Sequence, residues 1–78
     1  MSRVDWRDRV VRDPDIHHGE PSVRGTRIPV SIILGSVADG MSLELVCAAY
    51  PQLALEDIRA ALAYAADVLR REVIIRSD

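Results

Sequence analysis

The chain contains no lysine, no phenylalanine and only one cysteine. Because Cys47 has no second cysteine to pair with, the chain forms no internal disulfide, which fits a reducing cytosol. No apolar run approaches the roughly 18 residues that would span a bilayer, and the charged N-terminus lacks the apolar stretch of a signal peptide. These absences predict a cytoplasmic protein that neither crosses a membrane nor relies on disulfides.

A chain of 78 residues makes one domain, and 49% of the residues are hydrophobic, which is enough for a globular core. The scarcity of aromatic residues means that this core must be aliphatic and rich in alanine. A domain of this size buries only roughly 60–65% of its extended-chain surface on folding. Association with a second chain would add stability, so we expect a homodimer.

All ten basic residues are arginine, and the net charge is −2. Residues 1–30 hold six Arg and five acidic residues, whereas residues 31–78 hold four Arg and seven acidic residues. A protein that binds nucleic acid on its own usually carries a basic excess, and this chain has none overall. Its arginines suit bidentate contacts to carboxylates or phosphates, although a high-GC genome would favour arginine codons in the same way.

The segment Pro21 to Val30, with the sequence PSVRGTRIPV, predicts a small hairpin. Gly25 adopts positive φ without a Cβ clash, so residues 24–27 form a tight turn between two short extended arms. Pro29 has no N–H, which makes the second arm an edge strand or a strand end. Ser31 then takes the N-cap position of the first helix.

Three helices are predicted to follow, at about residues 31–39, 42–50 and 55–70. Gly40 and Pro51 end the first two, Ser42 caps the second, and Ala54 takes the N-cap position of the third without a capping side chain. The fold prediction is therefore mainly α, a three-helix, helix-turn-helix bundle over residues 9–71 that is preceded by a short β-hairpin region at residues 9–30. Residues 1–8 are predicted to be a flexible N-terminus, and residues 72–78 form a tail that either extends the third helix or makes a strand.

The stretches DPDIHHGEPSVRGTRIPVSIIL and DGMSLELVCAAYPQLALEDIRAALAYAADVL resemble a family of short prokaryotic proteins, the domain of unknown function 433. The resemblance runs from about Arg9 to Leu69, and the RGTRIPV run and the YPQL turn are quite specific to it. It implies a homeodomain-like helix-turn-helix fold and an antitoxin-like role beside a PIN-like ribonuclease toxin. Where relatives tend to have a glycine pair and a Lys, this chain has His18, Gly19 and Glu20.

The first candidate site is a nucleic-acid surface. The second and third helices match the order and spacing of a DNA-reading motif, although small three-helix bundles often show this arrangement without touching DNA. Glu56 and Asp57 at the start of the third helix would repel phosphates, with Arg59 alone against them. The hairpin arginines offer a better phosphate contact, or they pair with Asp13, Asp15 or a partner's acids. The candidate nucleic-acid-binding residues are Arg9, Arg12, Arg24, Thr26, Arg27 and Arg59.

The second candidate is a surface that binds a ribonuclease partner, and it follows from the resemblance. PIN-like ribonucleases hold divalent metal with clustered carboxylates, which an arginine or an apolar segment would block. The candidates are the hairpin arginines and the tail residues Ile74, Ile75 and Arg76; alternatively, the tail is a frayed or self-packed end. The candidate dimer-interface residues are Trp6, Tyr64 and Val68.

The sequence predicts no metal site, no cofactor and no enzyme activity. Adjacent His17 and His18 do not have a standard ligand spacing, and Cys47 falls on the predicted inner face of the second helix. The sequence contains no glycine-rich phosphate loop, and its Ser, His and Asp residues do not follow an order typical of a catalytic triad.

Two function classes follow from these observations. The first is an antitoxin-like protein that neutralises a PIN-like ribonuclease toxin and binds DNA to autoregulate its operon. The second is a stand-alone DNA-binding transcriptional regulator. A third alternative is a non-catalytic dimeric module that uses the hairpin and the tail only for assembly.

Overall fold

The computed structural model describes residues 5–15 and 17–75. Within them the chain forms a 3₁₀ turn at Trp6–Asp8, strand β1 (Val10–Arg12), a second 3₁₀ turn at His17–Gly19, strand β2 (Pro21–Val23), and helices α1 (Val30–Ala38), α2 (Leu43–Ala49) and α3 (Leu55–Ile75). The predicted fold class, a mainly helical three-helix bundle with an N-terminal β-hairpin region, is confirmed. No helix of the described residues is long and apolar enough to cross a membrane.

The two strands form an antiparallel sheet, in which Val10 lies opposite Val23. The second arm predicted at residues 28–30 contributes a single bridge, between Ser22 and Pro29. The strand-end alternative is therefore the correct one for this arm. Pro29 has no N–H to continue the ladder, and α1 begins at the next residue.

Helix α1 ends as predicted but begins differently. Its N-cap is Pro29, which offers no side-chain acceptor. The hydroxyl of Ser31 donates instead to a carboxylate oxygen of Glu20, so the predicted Ser31 cap is wrong. Gly40 has φ +99°, and the N–H groups at and after Gly40 donate back into the last turn of α1, which is the geometry of a Schellman cap.

Helices α2 and α3, with the turn at residues 50–54, make the helix-turn-helix. Ser42 caps α2 as predicted, because its side chain accepts a hydrogen bond from the N–H of Leu45 at 3.2 Å. Helix α3 continues to Ile75, so residues 72–75 extend the helix and the strand alternative is wrong for them. Residues 76–78 lie outside the described range.

The core lies where α3 meets the other two helices and the sheet. Ile33 of α1, Val46 of α2 and Ile58 of α3 are fully buried. An apolar stripe along α3 consists of Leu55, Ile58, Leu62, Ala65 and Leu69. Ile58 is fully buried in it, and Leu55, Leu62 and Ala65 are partly buried. Leu69, near the far end of the stripe, is 58% exposed. The buried hydrophobic residues are Val10, Val23, Val30, Ile33, Val46, Leu53, Ile58, Ala60 and Ala61.

Candidate partner-binding surface

Residues 24–27, here called the arginine turn, follow directly after β2. Gly25 has φ +81°, which confirms the predicted positive-φ turn. The N–H of Val23 donates to the Ile28 carbonyl at 3.1 Å, and the N–H of Thr26 donates to the Val23 carbonyl at 3.0 Å. The Thr26 hydroxyl donates to the Val23 carbonyl at 2.8 Å and accepts from the Ile28 N–H at 3.0 Å. These bonds fix the turn and engage the Thr26 hydroxyl within the chain.

An open groove of about 710 Å³ separates the arginine turn from the turn of the helix-turn-helix. Residues 25–28 form one wall of this groove, here called the turn groove, and residues 49–52 form the other. The groove therefore brings together the RGTRIPV and YPQL stretches. Sequence reasoning singled out both stretches but missed that they face each other. The available signal was that both are loop-forming segments and that both are specific to the family which the chain resembles.

Arg27 gives the lining of the turn groove a positive charge, and Arg24 lies in the same turn just outside that lining. Arg24 and Arg27 are both exposed, and Arg27 is the one formally charged residue in the lining. The backbone N–H of Arg24 donates to the carbonyl of Arg9 at 2.7 Å, so Arg24 lies opposite Arg9 across the sheet. Among residues 5–15 and 17–75, no carboxylate forms an ion pair with Arg24.

The side chain of Arg9 connects this surface to α3. Its Nη1 donates to Oδ1 of Asp57 at 2.9 Å, while Oδ2 of Asp57 accepts from the N–H of Ala54 at 2.9 Å. Asp57 is 14% exposed and Arg9 43% exposed. Asp57 thus makes the half of a capping box in which the third helical residue bonds the N–H of the N-cap residue, and the guanidinium of Arg9 is engaged within the chain.

The other candidate nucleic-acid residues do not converge on this surface. Arg12 lies at the far end of β1, three residues and roughly 10 Å from Arg9. Arg59 follows Asp57 by two residues and so lies roughly 200° further around α3, facing away from Arg9. Both are exposed. The structure therefore groups four of the six candidates near the turn groove: Arg9, Arg24, Thr26 and Arg27.

Two of the candidate dimer-interface residues contact each other within the chain. The rings of Trp6 and Tyr64 meet edge to face, with centroids 4.8 Å apart and planes at 86°. The indole N–H of Trp6 donates to Oδ2 of Asp67 at 2.6 Å, and the guanidinium of Arg7 lies 4.9 Å from the indole centroid. The hydrogen bond from Trp6, helped by the charge of Arg70, holds the pKa of Asp67 below its usual value despite some desolvation.

The remaining candidates cannot be grouped with a site. Val68 is half-buried on α3. Ile74 and Ile75 belong to the end of α3, and Arg76 lies outside the described residues. The homodimer and the tail contact therefore stay predictions.

Cys47 and His18 lie in different surroundings. Cys47 is partly buried against the core, as predicted for the inner face of α2. His18 is exposed with φ +56°, and the side chain of His17 lies outside the described part of the chain. In that part, no group of three or more His, Cys, Asp or Glu residues is arranged to hold a metal ion.

Comparison with known proteins places this chain in a family. A family model described as "Protein of unknown function (DUF433)" matches residues 10–65. The uncharacterized protein y4eO of Sinorhizobium fredii is 49% identical over 59 residues, which cover 76% of this chain but only 27% of that protein. This chain thus spans about a quarter of that relative's length.

A solved structure has the same fold. The crystal structure of a DUF433 member from Anabaena variabilis matches with a TM-score of 0.72 and 28% sequence identity, over 87% of this chain and 70% of that one. The family match covers most of the described bundle, including both walls of the turn groove. The chain therefore belongs to the DUF433 family, whose members are described as proteins of unknown function.

Proposed function

We propose that this protein is an antitoxin-like binding partner that holds and neutralises a PIN-like ribonuclease, with the arginine turn at the contact. The observation that carries the proposal is a fixed, exposed arginine turn at the rim of an open groove. Ribonucleases of this class hold metal with clustered carboxylates, and guanidinium groups bind carboxylates through paired hydrogen bonds. Because the turn is already ordered, it loses little conformational entropy when it binds.

The charges at the helix starts favour a protein partner over DNA. In a helix-turn-helix, the first residues of the motif's second helix, which is α3 in this chain, approach the bases. Here Glu56 occupies the first turn of α3 and Glu44 the first turn of α2, and both are exposed. Carboxylates that face phosphates oppose the electrostatic attraction that dominates DNA affinity. A protein partner contacts the arginine turn without bringing a phosphate backbone along α3.

Co-expression with a PIN-like ribonuclease encoded beside this chain tests the proposal. We expect the wild-type chain to restore growth and to elute with the ribonuclease as one complex. Arg24→Glu combined with Arg27→Glu reverses the charge of the arginine turn and should abolish rescue and weaken the complex by at least about tenfold. Arg71→Glu, which changes an exposed arginine on α3 away from the turn, is the matched control and should behave as wild type. Failure of the wild-type chain both to rescue growth and to form a complex contradicts the proposal.

A DNA-binding regulator is the second candidate function. The observation in its favour is that the arginine turn lies beside the turn that leads into α3, where it would reach a phosphate next to the major groove. Binding to the upstream operator, measured over a salt series, tests this candidate. The slope of log K against log salt is negative, and each lost phosphate contact should reduce its magnitude by about one. Arg24→Glu should therefore flatten the slope, and Arg71→Glu should not. Affinity that is insensitive to Arg24→Glu removes the turn from any DNA interface.

A further inference from the structure

We propose that the turn groove holds an extended acidic segment of the partner protein, with a carboxylate at Arg27 and a neighbouring apolar side chain between Ile28, Tyr50 and Pro51. The identity of the partner rests on the proposed function, whereas the chemistry of the groove rests on its own lining. The groove volume of about 710 Å³ lies within the roughly 300–1,000 Å³ of typical ligand sites.

Charge complementarity selects a carboxylate. The lining contains one formally charged residue, Arg27, and no aspartate or glutamate, although the chain as a whole carries a net charge of −2. Arg24, directly before the lining residue Gly25, is exposed and adds a second positive charge to the arginine turn. A guanidinium has five N–H donors, so Arg27 binds an incoming carboxylate in addition to its contacts within the chain.

The rest of the lining fits a peptide. Ile28 and Tyr50 are half-buried and Pro51 is exposed, so together they offer an apolar surface that one aliphatic side chain would cover. The side-chain amide of Gln52 is exposed and makes no hydrogen bond within the described residues. An amide carries both donors and an acceptor, which match the N–H and C=O groups of a peptide backbone. An open groove that offers a guanidinium, an apolar surface and an amide suits a peptide segment that lies along it in extended form.

The lining favours a peptide over a phosphate backbone. Three of the eight lining residues present the apolar surface just described, and a nucleic-acid strand would need further cations at phosphate spacing. Glu56, exposed four residues after the end of the groove wall, repels a nucleic-acid strand that continues toward α3. DNA binding in the groove is therefore an outcome that would overturn the inference.

The first test uses the isolated full chain labelled with ¹⁵N. The probe is the peptide acetyl-Ala-Asp-Leu-Ala-amide, and its control is acetyl-Ala-Asn-Leu-Ala-amide, which has the same shape without the charge. We expect amide shifts at residues 25–28 and 49–52, and affinity at least about tenfold lower for the Asn peptide. Equal affinity for the two peptides, shifts elsewhere, no binding, or tighter binding of a short DNA duplex to the same residues would overturn the inference.

A pair of groove variants extends this test. Ala49 and Ala48 are both exposed on α2, but only Ala49 lines the groove. Ala49→Trp should fill the groove and abolish peptide binding, while Ala48→Trp should bind as wild type. Arg27→Gln, which leaves the groove open, should lose preference for the Asp peptide, so the conclusion does not depend on Ala49→Trp folding well. Unchanged binding by both Ala49→Trp and Arg27→Gln contradicts the inference.

The same variants separate this inference from the proposed function. If the ribonuclease binds the wild-type chain and Ala49→Trp equally well, the groove inference fails while the antitoxin proposal stands. If no PIN-like ribonuclease binds but the Asp peptide still occupies the groove, the antitoxin proposal fails while the groove chemistry stands. Loss of ribonuclease binding in Ala49→Trp, with retention in Ala48→Trp, supports both.

Discussion

Asp57 joins the sheet to the helix-turn-helix through its two carboxylate oxygens. One oxygen accepts from Arg9 and the other from the N–H of Ala54, each at 2.9 Å. Arg9 in turn lies opposite Arg24 across the sheet. Asp57 therefore links the sheet that carries the arginine turn to the start of α3 and also bonds the N–H of the residue before that helix.

Substitutions at the two ends of this ion pair should have unequal effects. Arg9→Ala removes a partly exposed ion pair and should lower the free energy of unfolding by at most about 1 kcal/mol. Asp57→Ala removes the pair and the helix cap together, so it should cost about 2 kcal/mol. Urea unfolding of both variants measures the difference. Equal losses would mean that the bond to Ala54 contributes nothing.

The contact between Trp6 and Asp67 predicts a dependence of stability on pH. The folded-state pKa of Asp67 lies below its usual 3.8, chiefly because the ionised carboxylate accepts the indole hydrogen bond. The stabilisation is therefore present above the unfolded-state pKa and is lost as the pH falls through the lower folded-state pKa. Between neutral pH and about pH 3, stability should fall more steeply in the wild type than in Asp67→Asn.

The single tryptophan gives a direct readout of this titration. The indole N–H resonance of Trp6 should shift with a midpoint below 3.8 in the wild type and should not titrate in Asp67→Asn. A midpoint above 3.8, or the same midpoint in both proteins, would contradict the assignment.

At the scale of elements, two glycines should respond in opposite ways to the same substitution. A Cβ added at Gly25 or at Gly35 would meet no atom within 4 Å, so only the backbone conformation decides. Gly25 has φ +81°, and Gly25→Ala should cost about 1–2 kcal/mol. Gly35 lies inside α1, and Gly35→Ala should add roughly 0.5–1 kcal/mol by improving helix propensity. Thermal unfolding checks both; a destabilised Gly35→Ala would show that α1 needs glycine for another reason.

Elements that depend on local chemistry could be predicted from the sequence. Ser42 caps α2 because its own side chain reaches an N–H three residues later. Gly40 ends α1 because the chain needs a positive φ there, which a glycine adopts without a Cβ clash. Such interactions are encoded within a few residues. The Ser31 cap was mispredicted because Pro29 takes the N-cap position two residues earlier, and because the Ser31 hydroxyl donates to Glu20 instead.

The candidate site depends on contacts that local patterns do not contain. The bond from Arg9 to Asp57 spans 48 positions in the chain, and that from Trp6 to Asp67 spans 61. The groove forms because the end of α2 packs near the arginine turn, which requires the whole bundle to be assembled. The sequence therefore predicted which arginines are exposed on the turn but could not predict which loop faces them.

At the scale of the whole molecule, the chain has two separate surfaces, one at the turn groove and one along the later part of α3. The first half of α3 is covered by the bundle and the sheet, and the turn groove lies beside the loop that leads into it. Further along α3, Tyr64 and Asp67 contact Trp6, and Leu69 is exposed. The predicted homodimer does not require the turn groove, and sedimentation equilibrium should give a mass of two chains that Arg24→Glu leaves unchanged.

The central claim is that the arginine turn and the facing wall of the turn groove bind another protein. Hydrogen exchange of the complex with the PIN-like ribonuclease tests this claim most directly, because each backbone amide reports on its own surroundings. The account predicts that binding slows exchange at residues 24–28 and 49–52 and leaves residues 60–70 unchanged. Slowed exchange confined to residues 60–70, with no change around the groove, would contradict it.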